Sequence, residues 1–125
     1  MIDLKNVFKE FSSKKIIIIG DVMIDTYIGG RVNRISPEAP VPVVNFDSKE
    51  HRLGGAANVA LNIKALGAKP YICSVVGKDD NGSLLGKLIN ENHLSVEGII
   101  ESDARVTTEK TRIIGNNQQL IRIDS

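Results

Sequence analysis

Four consecutive isoleucines, Ile16 to Ile19, close on Gly20 and Asp21. An unbroken β-branched run suits a pleated strand and crowds the preceding turn of a helix. No polar residue alternates with these isoleucines, so the run predicts a strand buried on both faces, the mark of a parallel sheet. It is the candidate first strand.

The segments around it carry their own signals. Leu4, Val7, Phe8 and Phe11 recur at helical spacing behind Asp3, a candidate N-cap, and predict a short amphipathic helix. From Val22 to Phe46 the pattern reads as short extended pieces broken by Gly29, Gly30, Pro37, Pro40 and Pro42. Proline removes ladder donors, which makes Val41 to Phe46 an edge strand or flap. Gly54 and Gly55 introduce a helix over Ala56 to Leu66 that stops at Gly67. Pro70 to Val76 predicts a strand, Gly82 to Asn92 a helix capped by Asp79 or Asp80, and Val96 to Ile100 a further strand. Thr107 to Ile114 and Gln118 to Ile123 flank Gly115, Asn116 and Asn117 as the arms of a hairpin. In a regular hairpin Arg112 shares a face with Ile121 and Arg122 points away, whereas one bulged residue reverses this. The alternation of strands and helices predicts an α/β fold with a mainly parallel sheet.

Composition narrows the class of partner. The 125 residues hold 16 Lys and Arg against 15 Asp and Glu, a net charge of +1. Nucleic-acid and membrane-surface binders carry a basic excess, so neither partner is expected. Hydrophobic residues at 42% and charged residues at 25% are ordinary for one globular domain and exclude disorder. A domain this small buries only about two-thirds of its unfolded surface, so a partner or further sequence would add to its stability. The single cysteine, Cys73, sits in a strand-like setting and predicts a reduced, buried thiol in a cytoplasmic protein. No apolar run reaches the roughly 18 residues of a spanning helix.

Several groups could carry chemistry. Gly20 to Asp25 follows a strand, where open α/β sheets present ligand-binding residues, but Val22 and Asp25 stand where a dinucleotide fingerprint needs glycines. Asp21 and Asp25 fit two readings, a carboxylate pair for hydroxyl recognition, acid/base work or a metal, or else one turn aspartate beside a solvated one. Gly54 and Gly55 let backbone approach a ligand at a helix N-terminus. Asn58, in the first turn, fits either a sugar-hydroxyl contact or a local cap. Lys110, Arg112 and Arg122 fit phosphate contacts or a solvated strand face. His51 and His93 lack metal-ligand spacing, and no metal site is expected.

Taken together, Gly54, Gly55, Ala56, Ala57, Asn58, Val59 and Ala60, then Gly67 and Gly77, resemble the N-terminal motif of the ribokinase-like (phosphofructokinase-B type) carbohydrate kinases. Gly20 to Asp25, Arg34 to Pro42, Lys110 to Arg112 and Gln118 to Asp124 resemble that family's heptose 7-phosphate kinase branch, often fused to an adenylyltransferase for ADP-heptose synthesis, a precursor of the lipopolysaccharide core. The resemblance runs from about Lys14 to Ser125. It implies a three-layer fold with a small β lid at about residues 22–46, and phosphoryl transfer from ATP to the C1 hydroxyl of the sugar phosphate. By motif position, Asp25 would bond sugar hydroxyls, Gly54 and Gly55 would give backbone contacts, Asn58 a side-chain contact, and Lys110 and Arg112 would meet the 7-phosphate. The lid would pair between subunits as a homodimer. Met23 departs from the polar residue of ribokinase itself and counts against ribose. The family's catalytic aspartate and most of its ATP and Mg²⁺ site lie further along, so residues 1–125 are expected to be an incomplete domain without a catalytic residue or full cofactor binding, inactive alone. Other readings are a different sugar or nucleoside kinase of the family, or a noncatalytic sugar-phosphate-binding or self-association module.

Overall fold

The computed structural model describes residues 3–125, and the elements follow the expected α/β order. They are α1 (Leu4–Phe11), β1 (Lys15–Ile19), β2 (Val22–Ile35), β3 (Pro42–Gly55), α2 (Ala56–Ala65), β4 (Lys69–Gly77), α3 (Asp80–Glu91), β5 (Ile99–Ser102), β6 (Glu109–Gly115) and β7 (Gln118–Asp124). The chain divides into two compact units, residues 1–23 with 53–108 and residues 24–52 with 109–125.

The larger unit is built on a three-stranded sheet in the order β1-β4-β5, parallel throughout. Its core lies on the face that α2 and α3 cover. There Ile72 and Val76 of β4 meet Ala57 and Ala60 of α2 and Leu85 and Ile89 of α3, all buried. Each large aliphatic side chain removed from water here contributes about 1.5–3 kcal/mol. Asp3 caps α1 as expected, its Oδ1 accepting from the amides of Lys5 and Asn6 at 3.1 and 3.4 Å.

Asp79 does more than cap α3. Oδ1 accepts from the Gly82 amide at 2.7 Å while Oδ2 accepts from the Thr107 amide at 2.8 Å. The buried Thr107 hydroxyl accepts in turn from the Gly77 amide at 2.9 Å. One carboxylate thereby ties the start of α3 to Thr107. The amides of Thr107 and Gly82, with the Thr107 hydroxyl, hold its pKa below the ordinary carboxylate value.

The smaller unit is a four-stranded sheet in the order β3-β2-β6-β7. β6 runs parallel to β2, and β7 returns antiparallel to β6. Asn116 and Asn117 turn the hairpin with φ of 51° and 64°, the two positive values a tight two-residue turn requires. Asn116 also clasps β2, accepting from the Val32 amide and donating to the Val32 carbonyl. Thr26 is fully buried, its hydroxyl donating to Glu109 Oε1 at 2.6 Å and lying 2.8 Å from His51 Nδ1.

Four expectations need correction. β1 is not buried on both faces: it lies at the sheet edge, and Ile17 and Ile19 are exposed. Cys73 is half-buried, because it shares that open face. Residues 22–35 form one strand, not broken pieces, since Gly29 and Gly30 let β3 lie close, with Val44 and Asn45 against Gly30. The strand expected from Val96 begins at Ile99, because the Val96 carbonyl accepts from the Ile99 amide in a turn.

Since the folded state depresses the Asp79 pKa, its contribution to stability is present above the usual carboxylate range and is lost as pH falls through the lowered folded value. Asp79→Ala should therefore melt below the parent protein at neutral pH, with the gap narrowing below about pH 4. Thermal melts followed by circular dichroism across that range check this.

Candidate functional site

In the smaller unit, in-register parallel pairing places Asp25 beside Lys110 and Tyr27 beside Arg112. Side chains of such pairs project from the same face of the sheet. Across the hairpin, Lys110 faces Asp124 and Arg112 faces Arg122. That second pairing depends on a bulge: the register shifts between Ile113 and Ile114, which leaves Leu120 as the extra residue. Of the two alternatives open in the sequence, the bulged one holds, and the two arginines stand opposite each other.

The geometry of this face is polar and cationic. Arg112 Nη1 donates to Asp25 Oδ1 at 2.6 Å, with the two side chains only 22% and 21% exposed. The Asp25 carboxylate holds the guanidinium pKa above its already high ordinary value, so Arg112 stays charged. Two guanidinium groups lie over the Tyr27 ring, Arg112 at 5.3 Å and Arg52 at 4.7 Å. Arg52 is held by a two-point pair to Glu50 at 2.7 and 2.8 Å, and Arg122 by one to Asp124 at 2.9 and 3.0 Å. A carboxylate, an aromatic ring and fixed guanidinium forks can hold a hydroxylated, anionic small molecule.

In the larger unit, Gly54 and Gly55 end β3 and lead straight into α2. Gly55 has φ of +58°, and an added Cβ there would run into the Asp21 carbonyl. The Asp21 carbonyl instead accepts from the Ala56 amide at 2.9 Å, fixing the entry to the helix. No side chain caps α2. Asn58 is exposed and its side chain makes no hydrogen bond among the described residues, so the local-cap reading of it has no partner. Asp21 pairs with Arg105 at 2.9 Å.

Of the residues singled out in the sequence, Asp25, Lys110 and Arg112 come together in the smaller unit, and Gly54, Gly55 and Asn58 in the larger one. Tyr27, Arg52 and Glu50 escaped the sequence reading. Strand alternation puts Tyr27 on the face of Asp25, a legible signal, whereas the approach of Arg52 depends on how β3 lies beside β2. No cluster of three or more His, Cys, Asp or Glu side chains able to hold a metal ion occurs among the described residues. No helix among them is long and apolar enough to cross a membrane.

The pfkB family carbohydrate kinases match residues 13–125, and the chain belongs to that family. Among individual proteins it is similar to the bifunctional protein HldE of Citrifermentans bemidjiense, 44% identical over 122 residues, which are 98% of this chain and 25% of that protein. The chain thus spans about a quarter of the length of such relatives. By fold it is similar to a putative ribokinase from Agrobacterium tumefaciens, with a TM-score of 0.69 and 18% identity over 90% of this chain and 36% of that one. It is likewise similar to a sugar kinase from Pyrococcus horikoshii in complex with ATP, with a TM-score of 0.61 and 22% identity over 88% and 33% of the two chains.

The Gly55 conformation yields a direct check. Gly55→Ala should cost more than about 1 kcal/mol, because alanine disfavours positive φ and its Cβ meets the Asp21 carbonyl. Gly86→Ala, in the open middle of α3, should be neutral or stabilising by up to about 1 kcal/mol. Urea unfolding of the two variants separates these outcomes.

Proposed function

We propose that this chain is the sugar-binding and lid part of an ATP-dependent kinase that phosphorylates D-glycero-D-manno-heptose 7-phosphate at its C1 hydroxyl. The observation that carries the reading is the Asp25–Arg112 pair with Lys110 and Arg122 on one face of the small sheet. Similarity to a protein named HldE over nearly the whole chain supports the choice of sugar, and the family supports a small-molecule carbohydrate substrate.

Each residue has a role that follows from its chemistry. Asp25, fixed by Arg112 through one oxygen, accepts from sugar hydroxyls. Arg112, Lys110 and Arg122 balance the phosphate dianion, the arginines by paired N–H donors. Gly54 and Gly55 admit the sugar against bare backbone, and Asn58 offers an unengaged amide that donates and accepts. Residues 22–46 act as the lid segment. ATP supplies the phosphoryl group. Phosphoryl transfer needs an oriented hydroxyl, a base and stabilisation of the moving charge. This chain supplies the first.

Calorimetric titration of the kinase-length protein tests the substrate. Arg112→Met should weaken binding of heptose 7-phosphate by about 10- to 100-fold, the loss of a charge-assisted hydrogen bond, and should weaken that of unphosphorylated heptose less, through the Asp25 carboxylate it leaves unfixed. Absence of heat with heptose 7-phosphate in the unmutated protein would sink the assignment.

A second reading, pairing of two copies through the lid, draws on the opposite face of the same sheet. Ile113 faces Ile121 and Thr111 faces Ile123, and both β7 isoleucines are about half exposed. Exposed apolar strands at a sheet edge invite such pairing. Light scattering should give a dimer that Ile121→Asp converts to monomer, whereas a monomer at high concentration before mutation contradicts the pairing.

A further inference from the structure

Three hydrogen-bonded side chains cross the small sheet on the face turned away from Asp25. His51 lies on β3, Thr26 on β2 and Glu109 on β6, three adjacent strands. The Thr26 hydroxyl stands between the other two, 2.8 Å from His51 Nδ1 and 2.6 Å from Glu109 Oε1. Thr26 is fully buried, whereas His51 and Glu109 are half-buried. Glu109 is anchored through its backbone as well: its amide donates to the Ser125 carbonyl and its carbonyl accepts from the Ser125 amide, both at 3.0 Å.

The chemistry of the three groups sets the direction of this chain of bonds. A hydroxyl carries a single proton, and an ionised carboxylate can only accept. The Thr26 proton therefore goes to Glu109, and the hydroxyl oxygen accepts from His51, whose proton sits on Nδ1. Valine would fill the same space in a buried strand without needing any partner. The hydroxyl in its place joins three strands through two bonds. Successive residues of a strand point to opposite faces, so each member of the chain has a neighbour on the cationic face. Asp25 and Tyr27 flank Thr26, Arg52 follows His51, and Lys110 follows Glu109. On that face Arg112 bonds to Asp25 and Arg52 lies over Tyr27.

We propose that His51, Thr26 and Glu109 are positioning residues: the bonds running from His51 Nδ1–H through the Thr26 hydroxyl to Glu109 fix the spacing of β3, β2 and β6, and so hold Asp25, Arg52 and Lys110 in place for an anionic sugar. The identity of the ligand rests on the kinase reading, and the direction of the chain does not.

The test uses the kinase-length protein with isotope-labelled histidine and arginine, and its Thr26→Val, Thr26→Ser and His51→Leu variants. Nuclear magnetic resonance of the His51 ring, assigned by its loss in His51→Leu, should show a proton on Nδ1, whether or not Nε2 also carries one. A bare Nδ1 overturns the proposal. The Arg112 guanidinium signals, held sharp by the bond to Asp25, should broaden in Thr26→Val and His51→Leu and recover in Thr26→Ser. Calorimetry should give heptose 7-phosphate binding about 3- to 10-fold weaker for Thr26→Val and His51→Leu, and within about twofold of the parent for Thr26→Ser. His51 is only half-buried, so His51→Leu keeps the test open where loss of the buried hydroxyl unfolds the chain. A lowered melting temperature with affinity and Arg112 signals unchanged would make these bonds purely structural, and overturns the positioning role. If the unmutated protein binds no heptose 7-phosphate, the kinase reading fails, while the ring and guanidinium signals still decide the proposal.

Discussion

The parallel pairing of β2 with β6 is the constraint on which the smaller unit depends. These strands are more than eighty residues apart in the chain, as the Asp25–Lys110 pair shows. A parallel pair cannot be closed by a tight turn, so the intervening chain must first leave the sheet and return. The polypeptide uses that excursion to build β4, α3 and β5 of the larger unit. Once the register is set, Arg112 lies beside Tyr27 and reaches Asp25, and a one-residue slip would send it to the other face. The bulge at Leu120 then turns Arg122 to the same side. Two local features, one register and one bulge, decide whether this sheet presents a cationic face or a mixed one.

The two faces of the small sheet illustrate how one strand pattern can serve two purposes. Residues Asp25, Tyr27, Lys110 and Arg112 alternate with Thr26, Ile28, Thr111 and Ile113 along β2 and β6. The first set holds ion pairs and stacked guanidinium groups. The second holds a buried threonine anchored to Glu109 and His51, and an apolar surface continued by Ile121 and Ile123. Charge balance at the level of the whole chain fits this division. Recognition of one anionic sugar needs a few fixed cations, and no global basic field.

Much of this was legible in the sequence where the signal is local. Asp3 and Asp79 cap the helices they precede, the glycine pair opens α2, and Asn116 with Asn117 makes the turn, because capping, positive φ and hairpin geometry each depend on a few neighbouring residues. What depended on distant partners was not legible. The four isoleucines of β1 announce a strand but not whether anything covers its second face. Gly29 and Gly30 look like breaks until β3 is seen lying against them. Arg52 carries no motif, and only the third dimension brings it over Tyr27. The glycine and asparagine spacing of the kinase family was readable because it encodes a local turn into a helix.

The central proposal is that Asp25, Lys110 and Arg112 of the smaller unit contact the sugar phosphate. The most direct measurement is a nuclear magnetic resonance titration of the isotope-labelled protein with heptose 7-phosphate. The account predicts saturable shifts of the backbone amides at these three positions and of the Arg112 and Arg122 side-chain N–H signals. Shifts confined to the remaining surface, with the Arg112 signals unmoved at saturation, would contradict it.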